Sequence, residues 1–262
     1  MRAAVLGRPI AHSLSPALHR AGYAALGLDW TYEAHDVGAS ELAAFLAACG
    51  PDWAGLSLTM PLKLAVLPLL DEITDLTADV GAVNTVLLAG GRRRGENTDV
   101  HGLVAALREA GVAQPSSPVV LGGGATARSA VAALAELGAS TVRLAARREP
   151  VEAQALARRR GLAVTATSLD GHALSGAGLV ISTLPAGAAD ALAPAARDIP
   201  ALLDVCYAPW PTPLAAACRG IVVSGLAMLL HQAAAQLELM TGQPAPLDAM
   251  RAALPSAAAL KG

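Results

Sequence analysis

Only two of the 19 cationic side chains in this sequence are lysines, Lys63 and Lys261. Where composition turns every other cation into arginine, an internal lysine suggests that an amine is needed. Lysine can lose its proton near neutral pH when partly buried, and arginine cannot. Lys63 follows Leu58-Thr59-Met60-Pro61 at the end of an apolar run, where an ammonium can stabilise a developing oxyanion or move a proton; a solvated surface lysine is the plainer alternative. Polar residues gather after other apolar runs of the first half: Ser13 and Ser15, Thr59 beside Lys63, then Asn84 and Asn97-Thr98-Asp99. Strand ends of an α/β sheet share one rim, so these groups can converge on one ligand. Ser13 and Ser15 bracket a helix start, which suits an anion such as a carboxylate. Taken singly, Ser15 also reads as an ordinary helix cap and Asn84 as a turn residue.

A second constellation lies in the other half. Val119-Val120-Leu121 runs into Gly122-Gly123-Gly124-Ala125-Thr126-Ala127-Arg128, an apolar strand ending in glycines at a helix start. Such a turn brings bare backbone N–H groups up to a pyrophosphate at the helix's positive end. The form is GxGxxx, with Ala127 at the third position, where a small residue suffices for close packing. The next strand ends in Ala145-Ala146-Arg147-Arg148-Glu149. Arginines there suit the 2'-phosphate of NADP and an acid suits the ribose of NAD; both are present, and we favour NADP with NAD as the alternative. His12 and His19 read as structural, and His35, His101, His172 and His231 show no metal-ligand spacing. Cys49, Cys206 and Cys218 cannot all pair and form no CxxC, which supports neither a disulfide framework nor zinc.

The elements that must position these groups alternate between short apolar runs and helical patterns, the mark of an α/β chain. Strands are expected at 3–6, 31–34 and 53–58, with helices opening at Ser15-Pro16 and Ser40, each with a serine N-cap. A helix follows Pro61. Thr85–Leu88 and Arg92–Glu96 flank Ala89-Gly90-Gly91 as a hairpin, which makes the first sheet mixed. Asp99–Ala110 reads as a helix and 114–118 as a linker. Further strands are expected at 119–121, 142–145, 163–167, 179–182 and 202–205, a doubly wound set. From Gly225 onward the pattern is helical without another strand.

Composition bounds the rest. The 262 residues are 54% hydrophobic and 15% charged, with net charge −2, so a large core is available and the basic stripe of a nucleic-acid binder is absent. Apolar runs such as 221–230 fall short of the roughly 20 residues that span a bilayer. A soluble, cytoplasmic protein is expected, monomer or homodimer, with a small-molecule substrate and no nucleic-acid or membrane partner.

The residues then resemble a family. Gly7-Arg8-Pro9 with His12-Ser13-Leu14-Ser15-Pro16 and His19, and Gly55-Leu56-Ser57-Leu58-Thr59-Met60-Pro61-Leu62-Lys63, are similar to signatures of the shikimate dehydrogenases. Gly81-Ala82-Val83-Asn84-Thr85, Asn97-Thr98-Asp99 with Gly102, the glycine turn, Asp204 with Tyr207 and Pro209, and Gly225-Leu226-Ala227-Met228-Leu229 with Gln232 follow in the family's order. Four positions depart from it: Arg20 and Ser57 stand where asparagine is usual, Ala125 replaces a glycine and Ala146 an asparagine. The resemblance implies NADPH-dependent reversible reduction of 3-dehydroshikimate to shikimate, on the route to chorismate and the aromatic amino acids. It implies a substrate domain of residues 1–101 plus 226–262 and a Rossmann-like dinucleotide domain of 102–225, with the active site in the cleft. By carry-over, Lys63 and Asp99 handle the proton and Ser13 and Ser15 hold the carboxylate. Thr59, Asn84, Tyr207 and Gln232 bind substrate. Gly122, Gly123, Gly124, Ala125 and Thr126 meet the pyrophosphate, Arg147 and Arg148 the 2'-phosphate, and Gly225 and Met228 the nicotinamide end. A sister enzyme acting on quinate or aminoshikimate, or preferring NAD, keeps every one of these motifs; a non-catalytic dinucleotide-sensing module is the distant alternative.

Overall fold

The computed structural model describes residues 1–255; Lys261 and the end of the expected substrate domain lie outside the described residues. Contacts divide the chain into two units. One joins Met1–Asp99 to Leu230–Leu254, and the other is built on Val100–Leu229.

In the first unit β1 (Arg2–Gly7), α1 (Ser15–Ala25), β2 (Thr31–Asp36), α2 (Leu42–Ala48) and β3 (Trp53–Leu58) alternate as expected. They are followed by the single turn α3 (Leu62–Ala65), β4 (Glu72–Ile73), α4 (Asp75–Val80) and the strands β5 (Thr85–Ala89) and β6 (Arg92–Glu96). The sheet order is β2-β1-β3-β5-β6-β4. β1 is parallel to β2 and β3, whereas β5 is antiparallel to both neighbours, so the sheet is mixed. β1 and β3 are almost wholly buried, as central parallel strands covered on both faces must be. The β5–β6 turn is Gly90-Gly91, with φ of 59° and 76°, the left-handed pair that a two-residue hairpin requires. The core gathers Leu6, Leu42, Leu46, Trp53, Leu56 and Leu62.

Both serine caps are corrected. Ser15 lies inside α1, whose N-cap is Leu14 with no side-chain cap bond. Leu14 already has helical angles, which moves the start back by one residue; Ser13 Oγ instead accepts the Ser15 N–H at 3.4 Å. Ser40 misses the cap in the other direction, lying outside α2, whose N-cap is Glu41, and the Glu41 carboxylate turns back to accept the Gly38 N–H at 2.8 Å. β4 and α4 were not expected: β4 is two residues long, too short for a period to show, and α4 is capped by Thr74 and closed by the left-handed Gly81.

The second unit begins with α5, whose helix spans Asp99–Glu109. It continues through β7 (Pro118–Leu121), α6 (Ala125–Glu136), β8 (Thr141–Ala145), α7 (Val151–Arg159), β9 (Ala163–Thr167), β10 (Leu179–Ser182), β11 (Ala201–Asp204), α8 (Pro213–Ala217) and β12 (Ile221–Ser224). All pairings are parallel, in the order β12-β11-β10-β7-β8-β9. The order reverses between β7 and β10, the switch point at which a doubly wound sheet binds ligands. β12 lies outside the expected strands: it takes the first four residues of the short apolar run 221–230, and the helix expected from Gly225 takes the rest. Glycines on either side bring its backbone close: a Cβ on Gly220 would lie 2.2 Å from Pro200 O, and one on Gly225 2.0 Å from Val205 O.

The chain returns to the first unit through α9 (Gly225–Thr241), followed by α10 (Leu247–Ala252). Gly22 admits α9 against α1, since a Cβ there would meet Leu237 Cδ1 at 2.3 Å. The Gln232 and Gln236 side chains of α9 are buried. Among the described residues no helix is long and apolar enough to cross a membrane.

Candidate active site

Three strand ends of the mixed sheet deliver the polar groups. Lys63 lies five residues beyond β3, Asn84 directly precedes β5, and Asp99 follows β6. Backbone bonds tie these ends together: Leu58 N donates to Asn84 O (2.7 Å), Asn84 N to Glu96 O (3.1 Å) and Val83 N to Lys63 O (2.9 Å). The side chains then meet directly. Lys63 Nζ pairs with Asp99 Oδ2, and these side chains are only 15% and 4% exposed. A desolvated ion pair holds only if its remaining lone pairs are satisfied. Asn84 Nδ2 does this, donating to Asp99 Oδ1 at 2.9 Å, with Thr98 Oγ1 at 2.9 Å and Gln232 Oε1 at 3.3 Å also within reach. Lys63 is therefore no solvated surface lysine, and Asn84, 1% exposed, is no ordinary turn residue.

Ser13 and Ser15 stand at the start of α1, Ser15 buried and Ser13 half-buried. Thr59 is half-buried, its backbone N–H given to Leu6 O at 2.9 Å and its methyl set against Gly7, where a Cβ would lie 2.3 Å from Thr59 Cγ2.

Tyr207 belongs to the second unit, on the segment after β11. Asp204 anchors that segment by accepting from Thr212 Oγ1 (2.7 Å) and Cys206 N (3.2 Å). Burial pushes the Tyr207 phenol up, and it pushes the Cys206 thiol up to about 12, so Cys206 stays protonated.

The glycine turn closes β7 onto α6. A cavity of about 510 Å³ there is lined by Gly122, Gly123, Ala146, Arg147, Arg148 and Glu149, with Pro150, Leu169 and Leu184. Gly122 has φ +114°, and a Cβ on it would lie 2.4 Å from Thr183 Oγ1. Gly124 differs: its φ is −84°, and nothing lies within 4 Å of a Cβ built there. Neither backbone strain nor a neighbour within the chain calls for glycine at 124, whereas a pyrophosphate at the N-terminus of the 12-residue helix α6 would. Ala125 and Thr126 open that helix, and Arg147 and Arg148 are exposed at the cavity's edge. These residues fit a phosphorylated dinucleotide. Gly225 and Met228 lie in the first turn of α9.

Comparison with known proteins agrees with the geometry. The shikimate dehydrogenase substrate binding domain model matches residues 5–86, and the shikimate 5'-dehydrogenase C-terminal domain model matches residues 225–254. A shikimate dehydrogenase (NADP(+)) of Citrifermentans bemidjiense is 41% identical over 96% of this chain and 93% of its own. The chain belongs to the shikimate dehydrogenase family. Among solved family structures, that of the Mycobacterium tuberculosis shikimate dehydrogenase superposes with a TM-score of 0.91 at 44% identity, covering 99% of each chain. The Thermus thermophilus enzyme in complex with NADP(H) and shikimate gives 0.85 at 35% identity, covering 97% of this chain and 100% of that one.

Two departures from the family pattern have visible local solutions. Ser57 Oγ receives the Tyr32 hydroxyl at 2.6 Å and donates to Gln236 Oε1 at 2.7 Å, and Arg20 Nε donates to Tyr32 O at 2.9 Å. Gln236 and Thr85 belong to the polar cluster but were not read as site residues. A signal existed, since Gln236 falls one helical turn after Gln232 on an otherwise apolar stretch.

His19 is structural. It is fully buried, stacked on Tyr32 at 4.0 Å, and burial pushes it down to about 3. The unfolded chain binds its proton near the usual pKa of about 6.5, so this group's contribution to stability falls as pH drops from about 6.5 toward 3, by about 1.4 kcal/mol per unit. Urea unfolding between pH 7.5 and 5 should therefore show a steeper loss of stability in the wild type than in His19→Asn. Equal slopes would contradict a buried neutral imidazole.

Proposed function

We propose that the protein interconverts 3-dehydroshikimate and shikimate with NADP as the hydride carrier. The observation that carries this reading is the desolvated Lys63–Asp99 pair, held by Asn84 in a chain whose relatives bear that activity. When bound, the dinucleotide supplies or accepts the hydride. In the reductive direction the ketone oxygen gains electron density, and the Lys63 ammonium donates to it and then gives up its proton, so that ketone, hydride and proton become the alcohol. Asp99 stabilises the charged lysine before transfer and its reprotonation afterwards. In this reading Met1–Asp99 with the helices from Leu230 forms the substrate domain, and the doubly wound unit binds the dinucleotide. Ser13 and Ser15 hold the carboxylate, while Thr59, Asn84, Tyr207 and Gln232 receive the remaining oxygens. Gly122, Gly123, Gly124, Ala125 and Thr126 cradle the pyrophosphate, Arg147 and Arg148 the 2'-phosphate, and Gly225 and Met228 the nicotinamide end. The test is steady-state oxidation of shikimate and of quinate with NADP and with NAD. Shikimate with NADP is expected to give the highest kcat/KM; NADP binding without turnover of either alcohol would reject the reading.

Carboxylate anchoring gives its own expectation. The Ser13→Ala/Ser15→Ala double variant should raise KM for shikimate by about tenfold or more, since hydrogen bonds to a charged group contribute about 1.5 to 3 kcal/mol each. It should weaken the carboxamide analogue much less. Equal losses for acid and amide would place the carboxylate elsewhere.

A further inference from the structure

Behind Asn84 lies a buried line of hydrogen bonds that the reaction as described does not use. Tyr32 OH meets Ser57 Oγ at 2.6 Å, and Ser57 Oγ meets Gln236 Oε1 at 2.7 Å. Gln236 Nε2 reaches Thr85 Oγ1 at 2.9 Å and Asn84 O at 3.1 Å. Thr85 Oγ1 reaches Asn84 Oδ1 at 2.9 Å, and Asn84 Nδ2 reaches Asp99 Oδ1 at 2.9 Å. Ser57, Thr85, Gln236, Asn84 and Asp99 are each 4% exposed or less, so bulk solvent does not reach them. The line joins β2, β3, α9 and the start of β5 to the Lys63–Asp99 pair.

The direction of each bond follows from its neighbours. Two N–H groups are fixed points: Thr98 N–H donates to Asn84 Oδ1 at 2.8 Å, and an amide turned the other way would set its NH2 against that donor and its oxygen against the Asp99 carboxylate. Gln236 Nε2 must donate, since the Asn84 carbonyl it faces can only accept. With the amide donating into its oxygen, the Thr85 hydroxyl directs its own proton to Asn84 Oδ1. At the far end burial pushes the Tyr32 phenol well above its ordinary range, so it remains a donor. Ser57 receives the Tyr32 proton and passes its own to Gln236 Oε1. Every donor therefore points the same way, toward Asp99, and bonds aligned head to tail polarise one another.

We propose that Thr85 and Gln236 are positioning residues for the reaction: the Tyr32–Ser57–Gln236–Thr85 line locks the Asn84 amide with its NH2 on Asp99 and so holds that carboxylate on Lys63. The proposal rests on the assignment of Lys63 and Asp99 to proton handling. It also gives Ser57, a departure from the family pattern, a role as a link between Tyr32 and Gln236. Thr85 is the link to cut, because valine keeps its shape. The loss leaves Gln236 Nε2 its bond to Asn84 O and Asn84 Oδ1 its bond to Thr98 N–H, so the fold has little reason to fail.

The test is a double-mutant cycle on the full-length protein, read by steady-state shikimate oxidation with NADP. Thr85→Val should lower kcat by about 5- to 10-fold, the effect of one buried hydrogen bond, with KM for shikimate and for NADP within about twofold of wild type. Thr85→Ser, which restores the hydroxyl, should recover most of kcat. In an Asp99→Asn background Thr85→Val should cost nearly nothing further, because the group it serves is gone. A fall that is additive with Asp99→Asn, that moves KM as much as kcat, or that Thr85→Ser fails to recover would overturn the proposal. So would wild-type kcat in Thr85→Val. If Thr85→Val does not accumulate folded, Ser57→Ala carries the same cycle. Failure of the underlying assignment is distinguished by Lys63→Ala: wild-type turnover there removes the basis, whereas loss there with an unaffected Thr85→Val rejects the lock alone.

Discussion

Lys63→Ala is expected to lower kcat for shikimate oxidation by at least about a hundredfold, since general acid–base groups contribute roughly 10² to 10⁴. The loss should fall on kcat more than on KM, because the ammonium matters most when the substrate oxygen carries charge. Asp99→Asn should be comparably damaging: an amide can still take a hydrogen bond from Lys63, but it supplies no charge and leaves an ammonium without its counter-ion in a site only 15% exposed. The double variant should lose little more than either single one, as members of one unit do. Retention of wild-type kcat by Lys63→Ala would refute the assignment outright.

The second large effect concerns the dinucleotide. Arg147→Ala should lower kcat/KM with NADP by about 10- to 100-fold, the effect of one lost charge-assisted pair with the 2'-phosphate, and leave the value with NAD nearly unchanged. Both arginines are exposed, so the discrimination should also shrink as ionic strength rises. Glu149 lines the same cavity and is the residue that could reverse the preference. Wild-type preference for NAD, lost in Glu149→Ala, would move the protein to an NAD-using branch of its family.

The sequence by itself determined the alternation of elements, the mixed first sheet, the doubly wound second one and the rim residues, because periodicity, glycine turns and motifs at strand ends are local properties of the chain. Lys63 stood out through composition alone. Helix starts were less legible. Serines at 15 and 40 satisfy the cap pattern, yet Leu14 and Glu41 take the position, since the angle at which the chain enters a helix is set by what packs around it. The strand at 221–224 was equally hidden, because an apolar run of that length fits a strand or a helix until a neighbouring strand supplies hydrogen bonds. Tertiary structure also decided which polar residues share a site. Gln236 lies 152 positions from Asn84 and reaches it only because the chain returns to the first unit after building the second. No local pattern encodes that distance, and the direction of a hydrogen bond is defined only once both of its partners, and their partners, are in place.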